Sequence, residues 1–64
     1  MENNIIKLMR EIDQDFQLAT YDAAKFTEGN NSAGTRVRKY MQSIKSLAQE
    51  VRKEVQEQKN AVVA

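Results

Sequence analysis

The stretch Glu28-Gly29-Asn30-Asn31-Ser32-Ala33-Gly34-Thr35-Arg36-Val37-Arg38-Lys39 is where the helical pattern of this 64-residue chain breaks, and it holds both glycines. Long runs with helical periodicity precede and follow it, so the segment must turn the chain and start a second helix. Gly29 suits the left-handed conformation that closes a helix C-terminus. We expect a turn over residues 29–32, with Asn30, Asn31 or Ser32 capping the helix that follows.

Upstream of the turn, apolar residues recur at alternating intervals of four and three along a predicted helix from about residue 5 to 28. The members of this seam are Ile5, Met9, Ile12, Phe16, Ala19, Ala23 and Phe26. Leu8 flanks the seam and widens its apolar stripe. Asn4 would cap the helix, since its side-chain oxygen can accept a free backbone N–H. The spacing is typical of a coiled-coil helix.

Downstream of the turn, a second seam follows the same rule along a predicted helix from about residue 33 to 60. Its members are Val37, Met41, Ile44, Ala48, Val51 and Val55, flanked by Tyr40 and Leu47. A connection of about four residues forces neighbouring helices into an antiparallel hairpin. The sequence therefore predicts an all-α fold, an antiparallel two-helix hairpin that forms a single domain over residues 1–64.

The two apolar stripes are wider than one hairpin can cover. A domain of this size draws only about 3–5 kcal/mol from its own core. The chain contains neither cysteine nor histidine, which removes disulfides and the usual zinc sites as sources of stability. We therefore predict self-association as a coiled-coil dimer or four-helix bundle. The predicted oligomer core comprises Ile5, Met9, Ile12, Phe16, Val37, Met41, Ile44 and Val51.

The residue types that carry catalysis are scarce in this chain. Gly29 and Gly34 do not form a phosphate-binding P-loop, and three aspartates on one helix make a poor metal cage. Charged residues interrupt the apolar residues near the N-terminus, unlike a signal peptide, and no apolar run approaches the ~20 residues needed to cross a bilayer. We expect a soluble cytoplasmic protein that is not an enzyme and has no cofactor, metal, membrane or small-molecule partner.

Charge is distributed unevenly between the two halves. Residues 1–31 carry three cations and six acids, a net charge of −3, whereas residues 32–64 carry seven cations and three acids, a net charge of +4. Between Ser32 and Gln49 stand four cations and no acid, namely Arg36, Arg38, Lys39 and Lys45. The start of the second helix is therefore the basic part of the chain.

Two interpretations of this basic turn remain open. Free backbone N–H groups, the Thr35 hydroxyl and the Arg36 guanidinium would converge on a region that suits a phosphate oxygen. Gly34 would then let the anion approach the backbone. Alternatively, Gly34 only allows close packing of a helix, and the cations form a solvated face.

Two of these cations, with two that follow, recur at intervals of seven and form a basic ridge, which we define as Arg38, Lys45, Arg52 and Lys59. In coiled coils, charges that flank the seam set register and partner choice. The ridge could pair with acidic residues across the hairpin, where numbering alone places Asp13 near Arg52. It could instead form a rail for nucleic acid.

The opening stretch also resembles the signature of small bacterial linker-histone-like proteins, in which Gly-Asn, two residues and Ala-Gly-Thr-Arg-x-Arg-Lys open the second helix. The pairs Asp15-Phe16 and Ala23-Ala24 extend the similarity across about residues 5–58. The resemblance implies a DNA-binding nucleoid component, with DNA contacts at Thr35, Arg36, Arg38 and Lys39.

Charge pattern and resemblance together predict a histone-like protein that contacts the phosphate backbone of double-stranded DNA without sequence specificity. The predicted contact residues are Gly34, Thr35, Arg36, Arg38, Lys39 and Lys45. The alternative prediction is a homo-oligomeric coiled-coil interaction module that does not bind nucleic acid.

Overall fold

The chain forms two antiparallel helices in a computed structural model that describes the backbone of residues 2–63 and the side chains of residues 2–61. Helix α1 spans Asn4–Thr27 and helix α2 spans Asn31–Val63. The described residues contain no strand, and the two helices contact each other along their length. The predicted all-α helical hairpin is confirmed. Neither helix has an apolar stretch long enough to span a membrane within the described residues.

The cap of α1 lies one residue before the predicted one. Asn3 has an extended backbone, and its side-chain Oδ1 accepts the Ile5 N–H at 2.8 Å. Asn4, the predicted cap, is already the first helical residue. Both positions carry asparagine, so the sequence offered two equivalent caps and the backbone conformation selects the first.

The turn is tighter than predicted. Glu28 ends α1, and Gly29 adopts a φ of +104° that suits a residue without Cβ. The Gly29 N–H donates to the Phe26 carbonyl at 2.9 Å and the Asn30 N–H donates to the Lys25 carbonyl at 3.1 Å, which is a Schellman motif. The Asn30 side chain then caps α2 by accepting the Ala33 N–H at 3.1 Å.

Because Asn30 serves both the closing motif and the next cap, α2 starts at Asn31 instead of about residue 33. The helix also continues to Val63, beyond the predicted end near residue 60.

The residues between the two helices form the hairpin seam, and each of them is buried or half-buried. On α1 the hairpin seam consists of Ile5, Leu8, Ile12, Asp15, Ala19 and Asp22. On α2 it consists of Ala33, Val37, Tyr40, Ile44, Leu47, Val51, Glu54 and Gln58. The spacing of three and four is the predicted one. Its phase differs, because Leu8, Tyr40 and Leu47 lie inside the hairpin seam while Met9, Phe16 and Met41 lie outside it.

Polar contacts fix the register of the hairpin. Asp22 pairs with Arg36 and Asp15 accepts a hydrogen bond from the Ser43 hydroxyl, so the partners lie seven and fourteen residues on either side of Gly29. Asn3 and Gln58 exchange two amide hydrogen bonds of 3.1 Å at the far end. The expectation that Asp13 lies near Arg52 is wrong, since this register places Asp13 level with Lys45.

Candidate nucleic-acid interface

Arg36, predicted to contact DNA, is engaged inside the hairpin. Its Nε and Nη2 atoms both lie 3.1 Å from Oδ1 of Asp22, whose side chain is only 7% exposed. A buried carboxylate without a partner is costly, so this guanidinium neutralises and hydrogen-bonds the Asp22 side chain. The hydrogen bond to Asp22 raises the pKa of Arg36 above its ordinary value. Arg36 is half-exposed and reaches the surface only at the edge of α2.

Gly34 lies against the ring of Phe26 at the end of α1. A Cβ built on Gly34 would lie 2.5 Å from Cδ1 and 2.7 Å from Cε1 of that ring, well inside van der Waals contact. Close packing therefore explains the missing side chain at this position. The Phe26 ring occupies the space through which an anion would have approached the Gly34 backbone.

The other predicted DNA contacts belong to a larger surface on α2. Thr35, Arg38, Lys39 and Lys45 are all exposed on α2, and near the turn Thr35 and Arg38 also line a groove shared with Phe26 of α1. Further cations follow them at helical spacing along the same side. We call this surface the basic face and define it as Arg38, Lys39, Lys45, Arg52, Lys53 and Lys59, all exposed.

The residues between these cations are neutral and polar. Thr35, Ser46 and four amides separate the cations of the basic face, and all are exposed; the amides are Gln42, Gln49, Gln56 and Asn60. Among the described side chains, no carboxylate lies within 4.0 Å of a basic-face cation, because the ion pairs found there are Arg10–Glu2 and Arg36–Asp22. The basic ridge is therefore not paired across the hairpin.

Of the three acids of α2, one lies in the hairpin seam and two lie at the edge of the basic face. Glu54 belongs to the hairpin seam and accepts a hydrogen bond from Gln58 at 3.3 Å. Glu50 and Glu57 are exposed at one edge of the basic face: Glu50 lines a shallow surface groove with Lys45, Ser46 and Gln49, and Glu57 follows Lys53 by four residues. The exposed surface of α2 therefore carries six cations with Glu50 and Glu57 at its edge, and no carboxylate among the described side chains lies within 4.0 Å of those cations.

Arg52, Lys53 and Lys59 were not among the predicted contact residues, although the basic ridge already contained two of them. The signal that could have found all three is the distribution of charge around α2. Glu54 and Glu57 offset these cations when charges are counted along the chain. On the helix, however, Glu54 lies in the hairpin seam, while Arg52, Lys53 and Lys59 are exposed.

A second surface, the apolar face, lies at one side of both helices. Its members are Met9, Phe16, Ala23 and Phe26 on α1 and Gly34, Met41, Ala48 and Val55 on α2. An open groove of about 560 Å³ places the two stripes on one surface; it is lined by Ala23, Phe26, Gly34 and Val37 and by the polar residues Thr27, Asn31, Thr35 and Arg38. Phe16 is 59% exposed, Met9 and Phe26 50%, and Met41 43%.

The predicted oligomer core divides between two places. Ile5, Ile12, Val37, Ile44 and Val51 lie in the hairpin seam, where they hold the two helices of one chain together. The remaining three, Met9, Phe16 and Met41, lie on the apolar face. Within the described residues, no three side chains of the usual metal-ligating types come together.

These features define a class of protein, a small helical hairpin with one basic outward face and one apolar face. A family model described as "Histone H1-like protein Hc1" matches residues 4–61, and the chain belongs to this family. The family is histone-like and DNA-binding, in agreement with the predicted resemblance. Neither a curated protein nor a solved structure matches the chain significantly.

Proposed function

We propose that this protein binds double-stranded DNA through the basic face, as a histone-like component of the nucleoid. The observation that carries the proposal is the separation of charge on α2, where six exposed cations stand without a carboxylate within ion-pair distance among the described side chains. Such cations can replace the counterions condensed on DNA, which is the main source of sequence-independent affinity. Membership of a histone-like family supports the same conclusion.

The dimensions of the basic face suit a duplex. Arg38 and Lys59 are separated by about 32 Å along the helix at 1.5 Å per residue, which corresponds to roughly nine base-pair steps of 3.4 Å. Lysine, arginine and side-chain amides are the groups that commonly contact phosphate and sugar. Contacts of this kind position a protein on DNA without reading bases, so binding should not depend on sequence.

The predicted contacts take different roles in this proposal. Arg38, Lys39 and Lys45 contact phosphates, joined by Arg52, Lys53 and Lys59. Thr35 adds a hydroxyl near the start of α2. Arg36 and Gly34 act indirectly, because they shape the start of α2 through Asp22 and Phe26.

A matched pair of double variants tests the proposal in a mobility-shift titration at about 20 mM salt, where electrostatic attraction is weakly screened. Arg38→Gln with Lys39→Gln should weaken binding at least tenfold. The slope of log K against log salt concentration should become shallower by about two, since each lost phosphate contact reduces that slope by about one. Lys7→Gln with Arg10→Gln removes the same charge from exposed positions on α1 and should have a much smaller effect.

An equal loss of DNA affinity in both double variants would mean that only net charge determines binding. The basic face would then not be the DNA-binding surface. AT-rich and GC-rich duplexes should shift at the same concentration of protein, and a clear preference would contradict a backbone-only contact.

The second candidate is a homo-oligomeric interaction module without nucleic-acid binding, and the apolar face favours it. The two candidates differ in one observation. An absence of any shift by the parent protein at about 20 mM salt would remove the DNA proposal and leave the interaction module.

A further inference from the structure

The apolar face is the candidate interface, because it leaves several large apolar side chains exposed. The hairpin extends 54 × 19 Å in the plane of its two helices and 11 Å across it. The outline of the whole hairpin in this plane, 54 × 19 Å, is comparable with the ~800 Å² that each partner contributes to a standard interface, so a second copy has room to cover the apolar face. Soluble monomers rarely leave contiguous apolar patches above a few hundred Å² exposed. Met9, Phe16, Phe26 and Met41 supply large side chains along its length.

A second copy can cover this face symmetrically in two ways. With a two-fold axis parallel to the helices, α1 of each protomer lies on α2 of its partner, and both turns lie at the same end. With a two-fold axis across the helices, α1 lies on α1 and α2 lies on α2, and the turns lie at opposite ends.

Charge distinguishes the two arrangements. The basic ridge borders the apolar face on α2. Each of its four cations lies four residues after a member of that face, which are Gly34, Met41, Ala48 and Val55. Placing α2 on α2 would bring two ridges of four cations together. Placing α1 on α2 instead sets the ridge beside Asp13, and the register of the hairpin puts Asp13 level with Lys45.

We propose that the apolar face binds a second copy of this chain, with α1 of each protomer against α2 of its partner, both turns at one end, and Asp13 beside the partner's Lys45. Opposite charges then meet at the edge of the interface, whereas the other arrangement would place the two basic ridges side by side. Phe16 lies near the level of the partner's Met41, so two large exposed apolar side chains bury one another.

This arrangement has a consequence that rests on the proposed DNA binding. The basic face of each protomer points away from its own α1, so the two basic faces lie at opposite edges of the dimer. One dimer can then hold two separate DNA segments. The other arrangement would place both basic faces at the same edge, against a single segment.

The interface is tested by sedimentation equilibrium without DNA. Phe16→Gln should weaken dimerisation at least tenfold, whereas Tyr21→Gln, an equally exposed ring about 140° around α1, should leave it unchanged. Both rings are largely exposed, so circular dichroism should show that both variants remain helical. A parent that is a monomer at micromolar concentration, or equal dissociation of the two variants, would overturn the proposal.

The arrangement is tested by charge reversal and by a distance. Asp13→Lys should weaken the dimer about tenfold, because two exposed pairs become repulsive, and Lys45→Asp added to it should restore the parent affinity. The chain has no cysteine, so spin labels can be placed at Glu28→Cys alone. They should lie about 20 Å apart with the turns together, and a distance of roughly 40 Å or more would require the opposite arrangement.

Because these measurements contain no DNA, they separate failure of the dimer from failure of DNA binding. Capture of a fluorescent duplex on an immobilised duplex then tests the consequence. The parent should capture it at low salt and Phe16→Gln should not, although both bind a single duplex. Equal capture by Phe16→Gln would overturn the assignment of bridging to this dimer.

Discussion

At the scale of single residues, Arg36 shows how a cation in a DNA-binding motif can have a structural role. The buried Asp22 carboxylate depends on this guanidinium for its charge-assisted hydrogen bonds. We predict that Arg36→Gln lowers the melting temperature clearly, because it leaves Asp22 buried without its cation, while the neighbouring Arg38→Gln changes it little. Thermal melts of the two variants, monitored by circular dichroism, make the comparison. Equal melting temperatures would contradict the structural role.

The pH dependence of this contribution follows from the raised pKa of Arg36, whose main cause is the hydrogen bond to Asp22. A group with a raised folded-state pKa contributes fully below its unfolded pKa and loses that contribution only as the pH rises through the folded value. For arginine both values are strongly alkaline. The difference in melting temperature between the parent and Arg36→Gln should therefore stay constant from about pH 6 to about pH 9. A decline over that range would contradict a raised pKa for Arg36.

Gly34 and Phe26 provide a second test at this scale. Replacing a helical glycine by alanine normally raises the free energy of unfolding by about 1 kcal/mol, because alanine has the higher helix propensity. At Gly34 a Cβ would displace the Phe26 ring, so that gain should be absent in the parent and restored in a Phe26→Ala background. The coupling in a double-mutant cycle by urea unfolding should be about 1–2 kcal/mol. Additive effects would mean that the ring does not pack on Gly34.

At the scale of the elements, the sequence predicted two helices, their antiparallel order and the alternating spacing of the hairpin seam. It predicted the phase incorrectly because Asp15 and Asp22 are polar, and apolar Phe16 and Ala23 stood beside them. The structure accepts both aspartates because Ser43 and Arg36 lie at the matching level of α2. These partners are 28 and 14 residues away in sequence, so periodicity within one helix cannot reveal them.

The turn is the element that sets this register, and Gly29 is its most constrained residue. Gly29→Ala should cost about 1–2 kcal/mol of unfolding free energy, because φ is +104° and a Cβ disfavours that region. Since nothing lies within 4 Å of a Cβ at this position, the cost would be conformational and not steric. Gln49→Ala, exposed on α2, is the control and should change stability by less than about 0.5 kcal/mol. An unaffected Gly29→Ala would show that the turn is not constrained.

At the scale of the whole molecule, folding separates charges that the sequence mixes. Asp15 and Asp22 of α1 turn toward the hairpin seam, and Glu54 of α2 lies in it. The basic start of α2 was recognisable from residues 32–49, where no acid interrupts the cations. Its continuation to Lys59 was visible as four cations at intervals of seven, but the sequence left open whether they pair across the hairpin or contact nucleic acid.

The salt dependence of DNA binding by the parent protein tests the central claim most directly. If the basic face neutralises four to six phosphates, log K should fall against log salt concentration with a slope between about −4 and −5. Affinity would then decline roughly 250- to 1,000-fold between 50 and 200 mM salt. A slope near zero, or no binding at about 20 mM salt, would contradict a DNA-binding role for the basic face.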